Sequence, residues 1–72
     1  MTELTYGQKA VGLTFNPSGD PDVIKVKQLY ADIIDLCASK GATGESKRLF
    51  RIAITEAQQG QMWAVKALTW KD

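Results

Sequence analysis

The chain has 72 residues, 44% of them hydrophobic and 24% charged, with one cysteine and no histidine. A single domain of that size cannot build a generous core alone, and one cysteine forms no disulfide framework within the chain, so self-association is the remaining stabilising device. Nine Lys and Arg against eight Asp and Glu leave a formal charge of +1, which provides no broad basic field and argues against coating of DNA or RNA.

No run of about 18 apolar residues could cross a membrane. The N-terminus, MTELTYGQKAVGL, carries an acid where a signal peptide would be basic. The expectation is a soluble, cytoplasmic protein without membrane partners. Cys37, set in an apolar helical pattern, suits a reducing compartment and reads as a core residue rather than a nucleophile.

Residues 1–19 do not read as regular structure. Gly7, Gly12 and Gly19, with the turn signal Asn16-Pro17-Ser18-Gly19, break a helix, yet Leu4, Tyr6, Val11, Leu13 and Phe15 alternate and are too apolar for a disordered tail. The expectation is an ordered, extended arm. A helix over 20–38 follows, opened by Asp20 as N-cap, Pro21 at the first helical position and Asp22 in the first turn. Val23, Val26, Tyr30, Ile33 and Cys37 recur at steps of three and four, with Leu29 and Leu36 widening the stripe into a packing seam. Lys40-Gly41 ends it, as a basic last turn followed by a glycine C-cap.

The linker over 39–45, SKGATGE, is short enough to set the next helix antiparallel to the first. That second long helix covers 46–68 and is apolar on two sides. Leu49, Ile52, Ala53, Gly60, Trp63 and Ala67 form one stripe; Ile54, Ala57, Val65 and Leu68 form another. One partner helix cannot cover both, so the second stripe is expected to pack against another copy of the chain. Gly60 inside the helix, unfavourable by about 1 kcal/mol, points to close helix approach, with Gln58, Gln59 and Gln61 beside it as interfacial hydrogen-bonders. The predicted fold is all-α: one domain over 1–72, an antiparallel two-helix hairpin with an extended N-terminal arm, assembled as a homo-oligomer.

Without histidine, and without HExxH, CxxC, GxSxG or Walker-type motifs, the chain lacks the usual general base, metal ligand and phosphate loop. Neither catalysis nor a cofactor nor a metal is expected. Asp32 and Asp35, three apart and opposite the seam, read as a solvated face rather than an acid pair, and Asp20 and Asp22 read as capping residues.

Binding is then the remaining task, and three polar groups are candidates. Phe15-Asn16-Pro17-Ser18-Gly19 places small residues and backbone N–H groups near a helix N-terminus, which suits phosphate; the plain alternative is an N-cap turn. Lys25 and Lys27 lie near the arm and could neutralise a phosphate, or be ordinary surface lysines. Arg48, Arg51 and Thr55 fall on neighbouring faces at spacings of three and four, so a guanidinium and a hydroxyl could reach one bound group. Arg51, embedded among Phe50, Ile52 and Ala53, is the sharper arginine; its alternative is pairing with a carboxylate across a subunit contact.

The segment RLFRIAITEAQQGQMWAVKAL, with Ala53, Thr55, Gln58, Gln59, Gly60 and Met62 at its centre and Lys66 before Ala67, resembles the second helix of small phage proteins that share the anti-CBASS and Thoeris anti-defence hairpin domain. The arm TYGQKAVGLTFNPSGDP is similar to the start of proteins in that group. The resemblance implies a sponge that holds cyclic oligonucleotide or cyclic ADP-ribose immune signals without cleaving them. It also implies a compact helical homo-oligomer, commonly a hexamer, with pockets between protomers, acting in the cytoplasm of an infected bacterium. By the same resemblance, the nucleotide-gripping aromatic and lysine fall nearest Phe15 and Lys27, at a shorter spacing. Arg48 matches an arginine at the helix start, Arg51 is offset by one turn, and Ile54 stands where the family carries an arginine before the threonine.

The sequence reading is thus a cyclic-nucleotide sponge whose candidate contacts are Phe15, Asn16, Ser18, Lys27, Arg48, Arg51 and Thr55, with Tyr6 as a second stacking ring. The alternative is a small phage inhibitor that covers a host protein with a helix stripe.

Overall fold

The computed structural model describes residues 3–71, which form three helices and no strand. They are α1 (Tyr6–Ala10), α2 (Pro21–Ala38) and α3 (Gly44–Leu68). The two long helices pair as a hairpin, and α1 packs on α2.

Local chemistry accounts for the helix ends. Asp20 is extended and its carboxylate accepts from the Asp22 N–H at 2.9 Å, with Pro21 at the start of α2. The helix ends at Ala38, so Lys40 lies beyond its last turn. Ser39 caps it by donating its N–H to the carbonyls of Asp35 and Leu36, and Gly41 follows at φ +60°. α3 begins at Gly44, earlier than position 46, and carries Glu45 in its first turn and Lys66 in its last, each complementing the helix dipole.

The arm departs from the extended expectation, because Thr5 and Gln8 form a capping box. The Gln8 N–H donates to Thr5 Oγ1 at 3.1 Å, and the Thr5 N–H donates to Gln8 Oε1 at 2.9 Å. This reciprocal pair closes a short helix through Gly7. The apparent alternation of apolar residues is not a strand face: Val11 is buried, while Tyr6 and Phe15 are exposed.

The core lies where the arm, α2 and α3 meet. Val11, Ala31 and Ile34 form its centre, against Ala10, Leu13, Tyr30, Ile54 and Ala57. The seam on α2 is therefore rotated from the expected one. Val23, Lys27, Ala31 and Ile34 are buried, whereas Leu29, Ile33 and Leu36 are exposed. α2 has two neighbours, and its inward arc centres between them instead of on the most apolar stripe.

The stripes of α3 are also exchanged relative to expectation. Ile54 and Ala57, assigned to a second copy, pack into the chain's own core, while Leu49, Ile52 and Trp63 are left open. Gly60 sits at the border, where a Cβ would lie 3.1 Å from the Tyr30 ring, so the close approach inferred from this glycine is met inside the chain.

Both open stripes lie on one side of the hairpin. Each residue advances about 100° around its helix, so Leu29, Ile33 and Leu36 share an arc roughly a quarter-turn from Tyr30, which faces α3. Leu49, Ile52 and Trp63 are turned by a similar angle from Ala57, which faces the core. In an antiparallel pair these rotations bring the arcs to the same face. α1, which touches α2 at Ala31 and Asp35, takes the opposite face.

Candidate ligand-binding site

At the junction of arm and α2, the structure brings Phe15, Asn16, Ser18 and Lys27 together. Lys27 is 5% exposed, and a buried ammonium must have partners. Its Nζ donates to the carbonyls of Gly12, at 2.9 Å, and Phe15. The same ammonium lies 5.7 Å from the centroid of the Phe15 ring, in cation–π range. Lys27 is therefore a strut that holds the 12–15 turn, not a loose surface cation. The Phe15 ring it supports is 71% exposed and available for stacking.

The turn that follows is closed on itself. Asn16 Nδ2 donates to the Asp20 carbonyl at 3.0 Å, Ser18 Oγ donates to Asn16 Oδ1 at 2.7 Å, and the Asp20 N–H donates to Ser18 Oγ at 3.1 Å. The Gly19 N–H donates to the Asn16 carbonyl at 3.2 Å, so it is not the free phosphate donor that the sequence suggests. Asn16 and Ser18 shape the platform on which Phe15 is presented.

No hydrogen bond joins the side chains of Arg48, Arg51 and Thr55 to one another among the described residues. Arg48 donates from Nε and Nη2 to the two oxygens of Glu45, at 2.8 and 2.6 Å. This bidentate pair lowers the Glu45 pKa and raises that of Arg48. Thr55 Oγ1 donates back to the Arg51 carbonyl at 3.1 Å, which occupies its hydrogen. Arg51 instead borders a cleft at the closed end of the hairpin, of about 470 Å³, with Tyr6, Cys37, Lys47, Phe50 and Ile54 among the residues that line it. A second concavity of about 480 Å³ lies beside Gln59, Met62, Trp63 and Lys66.

Sequence reasoning missed three features. Lys47, Phe50, Arg51 and Ile54 follow the spacing i, i+3, i+4, i+7, a signal for one shared face that could have been read. Asp35, taken as a solvated acid, accepts from Thr5 Oγ1 and from the Gly7 N–H, both at 2.6 Å, and so anchors α1. Gln61 is 8% exposed, and its carboxamide oxygen has no hydrogen-bond partner among the described residues. Among those residues no cluster of His, Cys, Asp or Glu could hold a metal ion, and no helix is long and apolar enough to cross a membrane.

A helical hairpin with an exposed aromatic platform, an open cleft and an uncovered apolar face defines a small binding protein. The chain belongs to the Acb2/Tad1 hairpin-domain family, whose family model matches residues 8–69. This is the anti-CBASS and anti-Thoeris sponge family, associated with binding of cyclic nucleotide signals. No curated protein and no solved structure matches the chain.

Proposed function

We propose that this protein is an anti-defence sponge that binds cyclic nucleotide immune signals, cyclic oligonucleotides or cyclic ADP-ribose isomers, and holds them without cleavage in the infected bacterial cytoplasm. Membership of a family associated with binding cyclic nucleotide signals supports that ligand class. The observation within the chain that carries the reading is the Phe15 ring, presented to solvent by a buried lysine and a self-closed turn. Such a platform accepts any base face, and its rigidity limits the ordering cost of binding.

Assembly is part of the proposal. Leu29, Ile33 and Leu36 with Leu49, Ile52 and Trp63 form one uncovered apolar face, and a contiguous exposed apolar face of this kind marks an interaction surface. A second copy covers it in a homo-oligomer, with the hexamer of the family as the leading arrangement, and sites between protomers complete the contacts that Phe15 begins. The same face favours one other reading, a small phage inhibitor that docks on a host protein.

One experiment separates the two. The purified protein is incubated with cyclic di- and trinucleotides and cyclic ADP-ribose isomers, thermal shifts are measured, and the ligand is recovered after denaturation. The sponge reading expects a raised melting temperature with at least one of them and recovery of that ligand intact. A protein indifferent to the whole panel supports the inhibitor reading, and recovery of a cleaved product overturns the sponge reading.

A further inference from the structure

We propose that the cleft at the closed end of the hairpin is a separate binding site, contained in one chain, for a nucleoside phosphate. Its space of about 470 Å³ falls within the roughly 300–1,000 Å³ range of small-molecule sites. Two aromatic side chains, Tyr6 and Phe50, and two cations, Lys47 and Arg51, border it, and among the described residues no carboxylate does. Rings suit the base, and the ammonium and guanidinium suit the phosphate.

The cleft gathers two cations without a carboxylate partner among the described residues, whereas several of the chain's other cations are engaged elsewhere. Arg48 is taken by Glu45, Lys25 by Asp22, Lys27 by two carbonyls, and Lys66 lies over the rings of Trp63 and Trp70. Lys47 and Arg51 have no carboxylate within salt-bridge distance among the described residues. Both border the same open space, which places two positive charges together on a molecule whose net charge is only +1. Tyr6 is delivered to the rim because it opens α1, which Asp35 fixes through Thr5 and Gly7. This site needs neither assembly nor a cyclic ligand, and it stands apart from the Phe15 platform.

Cys37, the only cysteine, forms part of the wall and is half-buried, which gives a local reporter. Adenosine 5′-monophosphate is titrated calorimetrically into the full chain, and the rate of Cys37 reaction with a maleimide is followed with and without it. The expected result is one molecule per chain, slowed Cys37 modification, and at least tenfold weaker binding in Lys47→Ala and in Arg51→Ala, two exposed positions. Lys71→Ala, which removes the same charge beyond the end of α3, leaves the affinity unchanged. Inorganic phosphate alone binds at least tenfold more weakly than the nucleotide. Absence of binding at millimolar nucleotide, an unchanged Cys37 rate at saturation, or equal losses in Lys71→Ala and the two cleft variants overturns the proposal. Cyclic ligands assayed in parallel keep the two ideas apart. Their retention without nucleotide binding ends the cleft site alone, and nucleotide binding with Cys37 protection but no cyclic ligand ends the sponge reading alone.

Discussion

Gly7 of α1 lies so close to Asp35 of α2 that a Cβ at position 7 would sit 2.9 Å from the carboxylate, and nearer still to the Ala31 carbonyl. The missing side chain lets the Gly7 N–H and the Thr5 hydroxyl reach one carboxylate together. A carboxylate at a helix N-terminus also faces the positive end of its dipole. Gly7→Ala is therefore expected to push α1 off α2 and lower stability by about 1–3 kcal/mol, the usual range for overpacking. Urea denaturation measures it, and an unchanged midpoint would show that α1 contributes little.

The buried Lys27 ammonium makes a second prediction. Lys27→Met preserves much of the volume but takes the ammonium away from both carbonyls, leaving Gly12 with the Phe15 N–H alone and Phe15 without its donor. The expected loss is about 1–3 kcal/mol, typical of buried polar groups left unsatisfied, with altered amide resonances over 12–15 in heteronuclear NMR. Weakened ligand binding in this variant would reflect a displaced Phe15, so the affinity is read on Phe15→Ala as well. Full stability in Lys27→Met would contradict the strut role.

Ile33 and Ile52 occupy the open face and make no use of the core. Ile33→Asp and Ile52→Asp should reduce the assembled mass in light scattering while leaving the helical circular dichroism intact. An assembly that withstands both substitutions would place the subunit contact elsewhere.

The Glu45–Arg48 pair makes acid sensitivity local to the start of α3. Arg48 holds the Glu45 pKa below its ordinary value of 4.5, so the unfolded chain takes up this proton first as the pH falls. The contribution is present above 4.5 and is lost as the pH drops through the lowered folded value. In the parent protein the first turn of α3 should fray progressively below that pH. Glu45→Gln should lose that component of the acid dependence, seen in amide resonances of residues 44–48.

Gln61 offers a test in the stabilising direction. Its buried oxygen lacks a partner among the described residues, so Gln61→Met is expected to raise stability by about 1 kcal/mol, a rise of roughly 4–8 °C in Tm for a domain of this size. A lower Tm would mean that the oxygen accepts a hydrogen bond in the assembled protein.

What the sequence determined by itself was local chemistry with a fixed period. Asp20-Pro21 and the glycine at 41 bound α2, the two-sided pattern of 48–68 marks α3, and the Ala53–Met62 motif carries the family resemblance, because each depends on residues close together in the chain. Tertiary structure decided which stripe faces inward. α2 is covered from two sides, so Ala31 and Ile34 are buried in place of Ile33, and α3 turns Ile54 and Ala57 inward while Leu49 and Ile52 stay open. Hydrophobicity alone cannot rank two stripes of similar strength; the third helix, α1, packed on α2, breaks the tie. It also settles the polar residues: Lys27 becomes a strut because the arm's carbonyls fold back over it, Asp35 an anchor because Gly7 lets α1 approach, and Arg51 a cleft residue because Tyr6 arrives from the far end of the arm.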